Sequence, residues 1–333
     1  MAVSPHPDLH GPVAIVAGGL SHERAVSLLS GERIQRELQS VGVDAHVVDA
    51  DQSLLASLRS GGYAAVIPTI HGDIGEDGTL QTVLEMAGVP FTGSDSRACR
   101  LAWDKTVGRT LTERAGLSAP PWVALTSSSF KELGSSEVVR FLVEDMSWPL
   151  VVKPNRGGSV LGVNGVESVD ALVDALMQAF AYGDTVLVES FTEGMDVSVA
   201  VLDVDGAPRA GQPVGLEYDR KDRFDFVARY DPARVQVHAP AELPAETLAA
   251  LRTAAETAHT ALGMRDLSRV DFLVAPDGEF VVLEVSAVPG MTATSLFPFS
   301  VQSDGGSFSS TLVSLLKAAV SRTAPSEAGA TAP

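Results

Sequence analysis

Arg269-Val270-Asp271-Phe272-Leu273-Val274 is followed by Ala275-Pro276-Asp277-Gly278-Glu279 and then by Phe280-Val281-Val282-Leu283-Glu284-Val285-Ser286. Two apolar runs flank an Asp-Gly pair, which is a strong β-hairpin signal. With Asp277-Gly278 at the tip, Asp271 faces Glu284 and Arg269 faces Ser286. Side chains alternate with period two, so all four share one face. Directly opposed carboxylates destabilise a sheet. A hairpin that keeps such a pair is expected to hold something positive between them. Magnesium suits that role, because it takes hard oxygen ligands and binds one or two carboxylates together with substrate phosphates. The plain alternative is an exposed hairpin with two solvated acids, and a bulge would break the register.

The chain has 333 residues, long enough for two or three domains. Hydrophobic residues make up 45% and charged residues 20%, a globular composition. No apolar run reaches a membrane-spanning length. Residues 1–12 carry prolines and histidines with no basic start and no apolar core, so no signal peptide is expected. Cys99 is the only cysteine, which rules out a disulfide within the chain and points to the cytoplasm. A net charge of −18 argues against a nucleic-acid partner. Residues 323–333 are rich in Ala, Pro, Ser and Thr and read as a disordered tail.

Upstream, strand-like and helix-like segments alternate. Val13 to Ala17 reads as a buried strand ending at Gly18-Gly19, and residues 23–40 as a helix with apolar positions Val26, Leu29, Ile34 and Leu38. Val43 to Val48 and Ala64 to Ile70 are further strands, the second ending at His71-Gly72. The alternation predicts a parallel, doubly wound unit whose site wall lies at the strand ends Gly18-Gly19 and His71-Gly72. Residues 149–153 read as a strand, Val169 to Phe180 as an amphipathic helix capped by Ser168, and Thr185 to Glu189 and Val197 to Leu202 as strands. A long helix over 243–262 precedes the hairpin, and a last helix lies near 307–320.

Several clusters carry possible chemistry, each with a plainer reading beside it. Lys153 ends a strand and is followed by Pro154-Asn155-Arg156-Gly157-Gly158-Ser159, a loop able to bring backbone N–H groups and a lysine to phosphate. It lacks the Walker order, and Lys-Pro is also ordinary turn chemistry. Glu189 follows a strand and Asp196 lies close by; they suit the base and ribose of a nucleoside, or are simply exposed acids. His71 to Thr79 packs three glycines and three acids into nine residues, with Glu76 to Thr79 placed to cap a helix near Leu80. Ser21 is placed to cap the first helix, and Glu23 suits an ammonium or merely the helix dipole. Gly290 could offer its N–H to an oxyanion, and Ser295 could bind a carboxylate; the plain reading is a Pro-Gly turn.

Taken in order, these segments resemble the D-alanine–D-alanine ligases of the ATP-grasp superfamily, from about Val13 to about Ala319. Gly18-Gly19-Leu20-Ser21-His22-Glu23-Arg24-Ala25-Val26-Ser27 matches the family's Gly-Gly-x-Ser-x-Glu-Arg-x-Val-Ser. His-Gly-x-x-Gly-Glu-Asp-Gly is intact at 71–78. Trp103-Asp104-Lys105 stands for Met-Asp-Lys, and Lys153 to Ser159 for Lys-Pro-Ser-Arg-Glu-Gly-Ser. The resemblance implies a three-domain α/β ATP-grasp fold with a Rossmann-like first domain. The expected division is 1–104 for substrate binding, 105–188 and 189–322 for the two halves of the ATP site, with metal in the second.

By the same resemblance, Lys105 and Lys153 would grip ATP phosphates, and Glu189 and Asp196 the adenosine end. Asp271 and Glu284 would hold two magnesium ions, with manganese as a substitute. Glu23 would take the first ammonium, with His71 beside it, and Ser159 and Tyr230 would complete a hydrogen-bond chain with Glu23. Arg269 and the Gly290 N–H would stabilise the tetrahedral intermediate, and Ser295 with Leu296 would seat the second carboxylate. Charged, aromatic residues 216–232 would form a lid.

The chain departs from the family pattern in four places. Ala228-Arg229-Tyr230 replaces Ala-Lys-Tyr, so Arg229 would meet the γ-phosphate. Glu189-Ser190-Phe191-Thr192 replaces the Glu-Lys-Trp-Leu hinge, and Val160 replaces the glycine loop's second serine. Glu284-Val285-Ser286 replaces Glu-x-Asn, which would put Ser286 at the position of the third metal ligand, directly or through a water. The expectation is a divergent ligase joining two small amino acids, D-alanine to D-alanine, through an acyl phosphate for peptidoglycan precursors. It would be a cytoplasmic homodimer. The alternatives are a ligase for another amino or hydroxy acid and a nucleotide-binding paralogue without turnover.

Overall fold

The computed structural model describes residues 9, 11–60, 62–158, 161–218 and 234–323. Ser159, Val160, Arg229, Tyr230, the outer part of the expected lid and the tail after residue 323 lie outside the described residues.

Strands β1 (Val13–Ala17), β2 (Ala45–Asp49) and β3 (Ala65–Pro68) form a parallel sheet in the order β2-β1-β3. Every residue of β1 is buried, because helices cover both faces of the sheet. Val13 and Ile15 pack against Ile34 and Leu38 of α1 (Arg24–Ser40). Ala14 and Val16 face the other way, onto Leu54 and Leu58 of α2 (Leu54–Ser60). Beyond α3 (Asp73–Glu76), α4 (Thr79–Ala87) adds Leu80 and Leu84 to that second layer. This is the doubly wound unit that the alternation of segments predicted.

Some local expectations fail. Leu29 stays 56% exposed, so the apolar stripe of α1 is narrower than the periodicity suggested. Ser21 does not cap α1, whose N-cap position is Glu23. Residues 73–76 form a helical turn, and Gly78, which has no side chain, precedes α4. Ser168 precedes α9 (Val169–Phe180) without making a side-chain cap bond.

Helices α5 (Ser96–Trp103) and α6 (Lys105–Arg114) lead to the second sheet. It comprises β4 (Trp122–Thr126), β5 (Leu150–Pro154), β6 (Asn164–Val166) and β7 (Thr185–Ser190), antiparallel in the order β4-β7-β5-β6. After the short α7 (Ser127–Glu132), α8 (Ser135–Asp145) and α9 cover one face of that sheet through Leu142, Leu172 and Leu176.

The third sheet runs β11-β10-β8-β12-β13, from β8 (Met195–Asp203), β10 (Val214–Tyr218), β11 (Val235–His238), β12 (Asp266–Val274) and β13 (Phe280–Ser286). The short β9 (Arg209–Ala210) pairs with β8. Helix Ala245–Ala261 lies on the sheet with Leu251, Ala255 and Ala258 inward. The final helix, Phe308–Thr323, returns to the first sheet, where Leu312, Leu315 and Leu316 join Val13, Ile15 and Ile34.

The hairpin is formed, but not with the two-residue tip that Asp-Gly suggested. Ala275 N–H bonds Glu279 O, and Gly278 N–H bonds Ala275 O, so the loop is Pro276-Asp277-Gly278. Gly278 takes φ +89°, a value that needs glycine. The extra loop residue shifts the register by one. A bulge between Asp271 and Phe272, with Leu283 the extra residue on β13, shifts it back. Asp271 therefore still pairs with Glu284, and Arg269 with Ser286.

One core contact sets acid sensitivity. His259 is buried, with Nδ1 2.8 Å from Ser268 Oγ. Burial pulls the pKa of His259, and likewise that of His71, down from 6.5 to about 4. A histidine whose folded pKa is depressed stabilises the fold fully above its unfolded pKa. That contribution is lost as pH falls towards the folded value. Each histidine should therefore lower stability by up to about 3 kcal/mol between pH 6.5 and 4, while the buried Glu76 carboxyl, raised to about 7, works in the opposite direction as pH falls. Urea unfolding across that window checks this, and His259→Gln should flatten the slope.

Candidate functional site

A cleft of about 400 Å³ lies where the three sheets meet, within the range of small-molecule sites. Every described residue of the expected set lines it: Glu23, His71, Lys105, Lys153, Glu189, Asp196, Arg269, Asp271, Glu284, Ser286, Gly290, Ser295 and Leu296.

The first wall follows from parallel pairing. Because β1 and β3 run in the same direction, the loops after them open at the same end. Ser21 Oγ joins them, donating to His71 O at 2.7 Å and accepting from Glu23 N at 3.2 Å. The Glu23 carboxylate reaches the glycine loop after β5. A Cβ on Gly158 would stand 2.9 Å from Glu23 Oε2, so a side chain there would displace the acid.

His71 is engaged at both ring nitrogens. Nδ1 is 3.2 Å from Val288 O and Nε2 is 3.3 Å from Ser30 Oγ, which itself accepts from Met291 N–H. A carbonyl can only accept, so Nδ1 carries the proton and Nε2 accepts from Ser30. Burial keeps this ring neutral near pH 7. His71 thus ties the first wall to the loop that carries Gly290.

Glu76 accepts from Gly72 N–H at 2.9 Å, and its second oxygen is 3.5 Å from Ser286 Oγ. Burial, and then the neighbouring Glu23 carboxylate, push it up to about 7.

The acidic pair is neutralised by the chain's own cations. Arg269 donates to Asp271 through Nε at 2.8 Å and Nη2 at 2.7 Å, and Ser198 Oγ donates to the same carboxylate at 2.5 Å. Lys105 Nζ is 3.3 Å from Glu284 Oε2 and donates to Gly157 O at 2.6 Å. Burial alone would raise Glu284, but Lys105, Lys153 and Arg269 hold it well below the usual carboxylate range.

At the far end, Lys153 on β5 meets Glu189 Oε1 at 2.7 Å. Ser295 lies at the opposite wall, where its Oγ accepts from Thr292 N–H at 2.9 Å.

Comparison with known proteins places the chain in a family. A family model described as D-ala D-ala ligase C-terminus matches residues 111–317, and one described as D-ala D-ala ligase N-terminus matches residues 55–94. A D-alanine–D-alanine ligase of Geobacter sulfurreducens is 39% identical over 286 residues, covering 86% of each chain. The chain belongs to the D-alanine–D-alanine ligase family. Among solved structures, VanG D-Ala:D-Ser ligase from Enterococcus faecalis is similar with a TM-score of 0.78 and 28% identity, over 92% of this chain and 98% of that one. D-alanine–D-alanine ligase from Bacillus anthracis complexed with ATP is similar with a TM-score of 0.77 and 25% identity, over 94% and 98%. The ATP-grasp fold expected from the motifs is therefore the observed one.

For this ligase fold, sequence reading overlooked Ser30, Arg109 and Ser198, and took Glu76 only for a helix cap. Ser198 had a usable signal, since it lies two residues beyond Asp196 on the same strand face. Arg109 sits one turn after Lys105 on α6, a spacing that places both on one side of the helix.

Asp271 and Glu284 suit a divalent cation chemically. They offer hard oxygens from adjacent strands, close to two lysines able to hold phosphate. Among the described residues no group of three or more His, Cys, Asp or Glu is arranged to hold a metal alone.

Proposed function

We propose that this ligase joins D-alanine to D-alanine with ATP, through an acyl phosphate, for peptidoglycan precursor synthesis. The observation that carries the reading is the meeting of Lys105 and Lys153 with Glu23 and Arg269 in one cleft. Phosphate and ammonium need opposite charges, and the cleft supplies both.

In this reading Lys105 and Lys153 bind the phosphates, with Arg229 at the γ-phosphate, while Glu189 and Asp196 hold adenosine. Glu23 takes the ammonium of the first D-alanine, and by the family pattern Ser159 and Tyr230 would complete a hydrogen-bond chain with it. The D-alanine carboxylate attacks the γ-phosphorus and ADP leaves. The amine of the second D-alanine, its carboxylate seated by Ser295 and Leu296, then attacks the acyl carbon. Arg269 and the Gly290 N–H stabilise the tetrahedral oxyanion, and phosphate departs. Asp271, Glu284 and Ser286 would hold magnesium, which supplies charge neutralisation at the phosphates. Charge placement and positioning carry most of the catalysis. The reading divides the chain at 1–104, 105–188 and 189–322 and makes it a cytoplasmic homodimer. No helix among the described residues is long and apolar enough to cross a membrane.

The test is phosphate release with product mass across D-alanine, D-serine, D-lactate and L-alanine. Release with D-alanine and a D-alanyl-D-alanine mass supports the reading. Phosphate release without that dipeptide overturns it.

Ser286 carries a second expectation. Its hydroxyl is shorter than the asparagine side chain of the family pattern, and magnesium tolerates an intervening water. Ser286→Asn should lower the magnesium concentration for half-maximal rate. An unchanged magnesium titration would take Ser286 out of the metal shell.

A further inference from the structure

Beneath the cleft three charged side chains meet at one oxygen. Arg109 Nη2 and Lys153 Nζ each stand 2.7 Å from Glu189 Oε1. The side chains of Arg109 and Glu189 are 2% and 4% exposed, that of Lys153 10%. We propose that Arg109 is a positioning residue for nucleotide binding: it keeps the buried Glu189 carboxylate paired, so that Lys153 can turn from Glu189 to a bound phosphate. The inference rests on the nucleotide reading of the cleft given above.

The physical argument concerns what Lys153 leaves behind. A buried carboxylate with one cation cannot release it cheaply, because an unpaired charge in the interior is strongly unfavourable. With Arg109 on the same oxygen, departure of Lys153 leaves a neutral pair instead of a stranded anion. The two cations also repel. Burial pulls the Lys153 ammonium down to about 8; Glu189 opposes that shift and Arg109 adds to it. Lys153 shares its carboxylate oxygen with a second cation, at the place where a phosphate would compete for it.

The geometry separates the two roles. Lys153 lines the cleft, whereas Arg109 lines a small cavity behind it with Gly108, Thr112, Leu262 and Val282. Arg109 Nη2 also lies 3.4 Å from Leu283 O, at the bulge of β13. Its Nε and Nη1 are buried and meet no hydrogen-bond acceptor among the described residues.

The experiment compares ATP with adenosine, which has no phosphate to draw Lys153 away. Equilibrium binding of both is measured for wild type, Arg109→Met and Arg109→Lys. In Arg109→Met the ATP dissociation constant should rise by about tenfold or more beyond any change for adenosine, which reads the Glu189 contact without a phosphate. Arg109→Lys should recover most of the loss. Where Arg109→Met fails to fold, Arg109→Gln takes its place with the same expectation. Because Glu189 is itself placed at adenosine, the double variant is read against Glu189→Gln alone: with the anion that retains Lys153 removed, Arg109→Met should cost much less ATP affinity than it does in wild type. An equal loss for ATP and adenosine, no loss for either, or additive losses in the double variant would overturn the proposal. Wild type that binds no ATP would instead overturn the proposed function.

Discussion

Glu284→Gln should lower kcat by about 10²–10³-fold while the melting curve stays close to that of wild type. Glutamine keeps the size and removes the charge. Glu284 is the carboxylate on which Lys105 closes at 3.3 Å, and it directly faces Asp271 across the hairpin. Lys105, Lys153 and Arg269 together hold it ionised. Without it the cleft keeps those cations but loses the anion that balances them and that would share a metal ion with Asp271. The ground state tolerates the change because the side chain keeps 30% exposure to the cleft. The developing charge of phosphoryl transfer tolerates it far less. Steady-state rates at saturating ATP and magnesium, beside a thermal melt, decide the matter. Near-normal turnover would remove Glu284 from the reacting centre.

The second large effect is on stability. Asp266 is wholly buried and binds both Nη1 and Nη2 of Arg322, at 2.6 and 2.8 Å. It also accepts from Gly93 N–H at 2.8 Å. One carboxylate thereby ties the start of β12 and the segment before α5 to the end of the final helix. Asp266→Ala should cost about 3 kcal/mol, because it strands a guanidinium and a buried N–H. The cost sits at the low end of the usual range, since Arg322 is 31% exposed and water can reach it. Asp266 also takes φ +63°, which asparagine tolerates better than alanine. Asp266→Asn should therefore lose less. Equal losses for the two variants, measured by denaturant unfolding, would show that the carboxylate charge, which both variants lack, matters more than the backbone conformation.

Much of this molecule was legible in its sequence, for reasons that differ by region. The first sheet was readable because its strands are short apolar runs ended by glycine, and burial on both faces leaves that mark. The pairing of Asp271 with Glu284 was also readable, but through two errors that cancel: a three-residue loop and a bulge, each worth one residue of register. Hairpin sequence alone does not encode a bulge whose extra residue, Leu283, is as apolar as its neighbours. Motif residues such as Lys153 and Glu23 were found because glycine loops announce them. Arg109 and Ser30 escaped because they act from helix interiors, where an arginine or serine looks like any surface residue until tertiary packing buries it. Ser159, Arg229 and Tyr230 rest on resemblance, since they lie outside the described residues.

The return of the final helix to the first sheet has a consequence for synthesis. Val13, Ile15 and Ile34 emerge from the ribosome early, yet the residues that cover them, Leu312, Leu315 and Leu316, emerge nearly three hundred residues later. A domain that could close as it leaves the ribosome must instead wait with one apolar face bare, and such faces invite aggregation. The order of translation and the order of packing are opposed at this layer. A nascent chain stalled before Phe308 should therefore bind a hydrophobic dye and a holdase chaperone far more strongly than the released chain does.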